Sequence, residues 1–129
     1  MSARWEVEVD DERERFRLPA SAARVLERLI DPDWTVDAEC LSIDPELWFP
    51  EKGGATSRAV LEICASCPVR ASCLVTALVD VEDGIWGGVE AARRRQARGQ
   101  IGRGADPLVV LDELLERAAA TRSQRRSAA

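Results

Sequence analysis

Apolar residues recur at helical spacing in four stretches of the chain. Val25, Leu26, Leu29 and Ile30 form a short stripe after Ser21, a residue suited to an N-cap, and Pro32 closes it. Val60, Leu61, Ile63 and Cys64 gather on one side of a helix predicted from Thr56 or Ser57 to about Ala65. Ala71, Leu74, Val75, Leu78 and Val81 mark a second helix from about Val69 to Val81. Leu108, Leu111, Leu114 and Leu115 mark a last one, begun by Asp106-Pro107 and running to about Thr121. Residues 1–19 instead alternate Trp5, Val7 and Val9 with charge, the pattern of a short strand or a mobile arm. Cys40 to Pro50 reads as loop and short turns, and Gly53-Gly54 as a break. No internal repeat is visible.

The pattern predicts a small, mostly α fold. It also suggests a division into an extension with a short helix (1–32), a core (33–90), a basic segment (91–105) and a C-terminal helix with a frayed tail (106–129). With 129 residues and only four Trp, two Phe and no Tyr, the core is small and benefits from a staple.

That staple is carried by the cysteines. Four are present: Cys40, then Cys64, Cys67 and Cys73 in a C-x2-C-x5-C run. Pro68 disfavours helix at Cys67 and suits the first position of the following helix, which places Cys67 at its N-cap. The break lets three sulfurs converge, and Cys40 closes the set from its loop. Four thiolates suit an iron–sulfur cluster or a zinc ion. Zinc usually takes paired knuckles, whereas only one pair here is knuckle-like, and dispersed thiolates around a helix break suit a bulkier cubane. A dithiol oxidoreductase using Cys64 and Cys67 is the third reading, although the βαβ pattern that should surround it is missing.

Charge adds a polarity. The net charge is −5 overall; residues 1–50 sum to −7, 51–90 to −3 and 91–129 to +5. Positive charge concentrates in Arg93, Arg94, Arg95, Arg98 and Arg103, before a glycine-rich loop. An otherwise acidic chain with its arginines gathered in one stretch points to contact with DNA there. The absence of His removes mixed Cys/His sites and the usual imidazole catalyst. The N-terminus is charged almost at once and lacks the apolar run of a signal peptide, so a cytoplasmic protein is expected. Gly84-Ile85-Trp86-Gly87-Gly88 reads as a tight turn presenting an indole.

Taken in order, these features resemble the WhiB-like family of actinobacterial transcription factors. Trp34 stands before Cys40. Asp44-Pro45-Glu46-Leu47-Trp48-Phe49-Pro50 is similar to the family's DPELFFP stretch, with Trp48 in place of the commoner Phe. The Cys64–Cys73 run, the Gly84–Gly88 turn and the arginines follow, covering roughly residues 33–103. The resemblance implies a [4Fe–4S] cluster on Cys40, Cys64, Cys67 and Cys73, wrapped by a small helical fold. It implies a non-enzymatic regulator that docks on region 4 of the principal sigma factor of RNA polymerase. Trp34, Trp48, Phe49, Pro50 and Gly84, Ile85, Trp86, Gly87 and Gly88 would face that partner. Arg93, Arg94, Arg95, Arg98 and Arg103 would touch promoter DNA, although no complete AT-hook is present. Sensing of nitric oxide or oxygen is a further implication.

Overall fold

A computed structural model describes residues 17–42, 45–49 and 58–116. The alternating stretch before residue 17, Asp44, Pro50, the Gly53-Gly54 break, the Thr56/Ser57 cap and the end of the last helix lie outside the described residues. The rest is mostly helical, with no strand among the described residues. Helix α1 spans Ala20–Glu27. Three short 3-10 turns follow at Trp34–Asp37, Glu39–Ser42 and Pro45–Trp48. Then come α2 (Arg58–Ser66), α3 (Arg70–Asp80) and α4 (Ala91–Gly102). Residues 107–116 form the helix α5 as far as it is described.

Helix starts and stops differ from the sequence expectation in three places. Pro19, not Ser21, stands at the N-cap of α1, and the helix gives way to a turn at Arg28-Leu29, before Pro32. Cys67 is not the N-cap of α3. A tight turn through Pro68 intervenes, closed by the Arg70 N–H donating to the Cys67 carbonyl at 3.3 Å, and Val69 takes the cap position. Proline fixes the turn's backbone one residue earlier than helix geometry is reached. The basic stretch is a full helix, which glycines at 99 and 102 did not prevent. At α5 the expectation agrees with the structure: the Asp106 side chain accepts the Leu108 N–H at 2.9 Å, with Pro107 in the first turn.

The main core joins α1, α3, α4 and α5. Leu18, Ala22 and Leu26 share one buried cluster with Leu74, Val75 and Leu78, Val89, Ala97 and Ile101, and Val110, Leu111 and Leu114. The first helix is therefore not an appendage. Leu26 is 0% exposed, and the Ser72 hydroxyl fastens the chain that leaves α1 by accepting the Asp31 N–H at 3.1 Å. A second, smaller apolar cluster of Trp48, Val60, Cys64 and Ile85 lies apart from the first, with Cys40 and Ile63 packed against it. Helices α2 and α3 meet at a bend of 111°, and no single described helix is long and apolar enough to cross a membrane.

Helix α3 ends with Val81 in left-handed backbone (φ 55°), a conformation that strains a β-branched residue. The surroundings hold it there. The Ala77 carbonyl accepts the Val81 and Glu82 N–H groups and the Arg98 guanidinium, the last at 3.3 Å. This stop turns the chain back over the smaller cluster.

Candidate metal centre

The bend between α2 and α3 carries Cys64 at the end of one helix, Cys67 in the turn and Cys73 in the second turn of the other. Cys40 comes from the 3-10 turn Glu39–Ser42. All four line one cavity of about 200 Å³. The rest of its wall is largely apolar: Trp34, Ala38, Trp48, Phe49, Ile63, Val69, Ile85 and Trp86, with Arg70 as the charged member. Every one of the four thiols is free of a disulfide. Among the described residues, no three Cys, Asp or Glu side chains stand close enough to enclose a single ion.

Hydrogen-bond donors reach these sulfurs from two sides. The Trp48 indole N–H donates to Cys64 Sγ at 3.3 Å. The main-chain N–H groups of Gly88 and Gly87 approach the sulfurs of Cys64 and Cys73 and favour their charged forms. Burial nonetheless dominates the thiols. It pushes Cys40 and Cys64 above the ordinary thiol range, and Cys73 up to about 12. Donors aimed at sulfur in an apolar cavity are what a set of ligating thiolates needs, since each bond favours the charged form that burial penalises.

The glycine turn supplies those amides. Trp86 and Val89 exchange main-chain hydrogen bonds of 3.2 and 3.0 Å, with Gly87-Gly88 between them at φ 60° and 79°. Gly87 also presses against α3: a Cβ there would stand 2.8 Å from the Leu74 Cβ and 3.0 Å from the Arg70 carbonyl oxygen. Gly84 lies as close to the opposite wall, where a Cβ would meet the Trp48 carbonyl oxygen at 2.7 Å. The Ile85 N–H donates to that same carbonyl at 2.7 Å, joining the turn to the Trp48 segment.

The aromatic residues singled out in the sequence divide into two groups. Trp34 and Trp86 are part-exposed and pack edge to face, with centroids 6.2 Å apart at 62°. The Trp86 indole N–H is satisfied by the Asp83 carbonyl at 2.7 Å. Phe49 is 55% exposed and lines the same cavity. These three form an apolar rim. Trp48 and Ile85 turn inward instead, at 7% and 4% exposed, and line the cavity from within. Pro50 is outside the described residues.

The arginines divide as well. Arg93, Arg95 and Arg103 are exposed. Arg94 is 0% exposed and Arg98 is also buried. The Arg94 guanidinium donates to the Glu82 carbonyl at 2.6 Å and to the Val89 carbonyl at 2.5 Å. It thus clasps both ends of the segment that carries the Gly-Trp turn. Burial, with Arg98 nearby, pulls the Arg94 pKa down to about 10. In this fold neither Arg94 nor Arg98 presents its guanidinium to a partner; both fasten α4 to the turn and to the end of α3. Sequence reasoning assigned them to DNA because it took the arginine run as a single group. The usable signal was their register: Arg94, Ala97, Arg98 and Ile101 follow helical spacing and share the buried face.

Residues 34–97 match the family model described as "Transcription factor WhiB". Three relatives are similar to the chain over 66 to 73 residues. "Transcriptional regulator WhiB2" of Mycobacterium tuberculosis is 51% identical over 70 residues, covering 53% of this chain and 78% of the relative. "Transcriptional regulator WhiB" of Streptomyces coelicolor is 46% identical over 66 residues, 50% of this chain and 75% of the relative. "Transcriptional regulator WhiB2" of Mycolicibacterium smegmatis is 49% identical over 73 residues, 55% of this chain and 56% of the relative, so the match spans little more than half of that relative's length.

Proposed function

Because the chain belongs to the WhiB family of transcription factors, we propose that it is a cytoplasmic, non-enzymatic transcriptional regulator built on a [4Fe–4S] cluster. Cys40, Cys64, Cys67 and Cys73 would hold the cluster. The observation that carries the reading is that all four line one apolar cavity of about 200 Å³, with the Gly87, Gly88 and Trp48 N–H groups on the sulfurs of Cys64 and Cys73. A space of that size exceeds what one bare ion fills, which favours the cluster over a zinc staple. The thiol–disulfide reading is disfavoured by Cys64, whose thiol burial raises where a nucleophile needs it lowered. When bound, such a cluster supplies a redox centre and a target for nitric oxide or oxygen.

The protein's own residues orient the sulfurs and exclude water. They also make a docking face beside the cavity. Trp34, Trp86 and Phe49 form its rim, and region 4 of the principal sigma factor is the proposed partner. Exposed aromatic side chains that become buried on docking carry much of the energy of protein interfaces. Arg93, Arg95 and Arg103 extend from α4 and the turn after it, and promoter DNA is their proposed contact.

The test is anaerobic purification, a visible spectrum with iron and sulfide assay, then capture by the sigma domain. About four irons and four sulfides per chain, the content of the cluster four cysteines ligate, together with capture, is the expected result. Alanine at any one of the four cysteines should give colourless protein that the sigma domain does not retain. Full retention of such a variant sinks cluster-dependent docking. A colourless protein with one zinc would leave a binding module without redox sensing.

A further inference from the structure

The bond between Trp48 and Cys64 comes from a side chain, whereas Gly87 and Gly88 approach sulfur with main-chain N–H groups. Trp48 Nε1 lies 3.3 Å from Cys64 Sγ. An indole N–H only donates, and buried it requires an acceptor; the sulfur is that acceptor. The ring is held on several sides. It packs with Val60, Cys64 and Ile85, and its own carbonyl accepts the Ile85 N–H at 2.7 Å. The donors from Gly87 and Gly88 belong to the main chain and persist whatever side chain is substituted. A phenyl ring at position 48 would fill most of the same space and donate nothing.

Resting on the reading that Cys64 ligates an iron–sulfur cluster, we infer that Trp48 is a positioning residue that tunes the centre: its indole hydrogen bond draws charge from the Cys64 sulfur and raises the midpoint potential. Hydrogen bonds to ligating sulfur stabilise the more negatively charged, reduced state, and they are among the levers that set cluster potentials. Trp48 thus faces the cluster side of the cavity, and its role differs from that of its exposed neighbour Phe49.

The experiment compares reconstituted full-length wild type with Trp48→Phe, with 3-benzothienylalanine at position 48, and with Val60→Ala. The benzothienyl ring keeps the indole shape without its N–H. Val60→Ala trims the same apolar cluster without touching a polar group. Midpoint potentials are read by stepwise reductive titration against mediators, with iron and sulfide measured in parallel. At fixed potential, both position-48 variants should lose about tenfold in the ratio of reduced to oxidised centre, equal to about 59 mV for a one-electron couple, at unchanged iron content. Val60→Ala should leave the potential where it was. A wild-type potential in both position-48 variants, or an equal shift in Val60→Ala, overturns the inference. If the protein loads one divalent ion and no cluster, the cluster reading fails while the bond stays testable in cobalt(II)-loaded protein. There the sulfur-to-cobalt charge-transfer band should move to lower energy in Trp48→Phe; an unmoved band overturns the inference. A chain that loads neither overturns both.

Discussion

Cys73 sits in the second turn of α3, with the Gly87 N–H on its sulfur and burial pushing its thiol up to about 12. The folded chain keeps this proton at pH values where an unfolded chain, near the ordinary 9.0, has begun to release it. The neutral thiol therefore favours the metal-free fold below pH 9, and that contribution is lost as pH rises towards 12. Metal-free protein should alkylate at Cys73 far more slowly than the same chain in urea at pH 8, with the gap closing as pH approaches 12. Mass spectrometry after timed iodoacetamide treatment reads both. Equal rates at pH 8 would show that burial does not govern this thiol. Ligation must displace such protons, so loading should weaken as pH falls.

At the scale of the element, α4 is two surfaces on one helix. Its outward arginines and its inward pair call for opposite behaviour on substitution. Alanine at Arg93, Arg95 and Arg103 together should leave thermal stability nearly unchanged. It should also lower the salt dependence of promoter binding by up to about 3 in log–log slope, at roughly 0.9 per phosphate contact. An unchanged slope would remove the DNA contact from these residues. Arg94→Met should do the reverse: it removes the donor to the Glu82 and Val89 carbonyls and should destabilise the fold by roughly 1–3 kcal/mol, the range for a buried group left unpaired. Thermal melting checks it, and a melting temperature equal to wild type would show that the clasp is dispensable. The gathering of the four cysteines on one cavity and the existence of α2, α3 and α5 were legible because spacing and turn chemistry report local geometry directly. The inward face of α4 was not, because hydrophobic periodicity is blind to a helix that buries two guanidinium groups beside Ala97 and Ile101. The same blindness affected Trp48: an aromatic pair before a proline does not say which ring faces inward, and only the fold separates Trp48 from Phe49.

Across the whole molecule, the matched segment 34–97 holds the cysteine cavity but only part of the main core. Leu18, Ala22 and Leu26 precede it; Ile101, Val110, Leu111 and Leu114 follow it. Leu26→Ala should cost about 2–5 kcal/mol, measured by denaturant unfolding, although Leu26 does not line the cysteine cavity. A loss under 1 kcal/mol would return α1 to the status of an extension. The boundary at residue 97 also falls inside α4, between the two buried arginines. The molecule thus carries two kinds of hereditary constraint in one chain. Around the sulfurs, the proposed ligation depends on the chemical identity of the side chains. In the flanking helices only shape and register must be kept, so many apolar sequences serve, provided that α1, α3 and α5 change in concert. A graft of this segment between the flanks of another protein would transplant the four cysteines and the turn yet strand Leu74 and Leu78 without their neighbours. The flanks, silent about function, decide in which hosts the cassette can be housed.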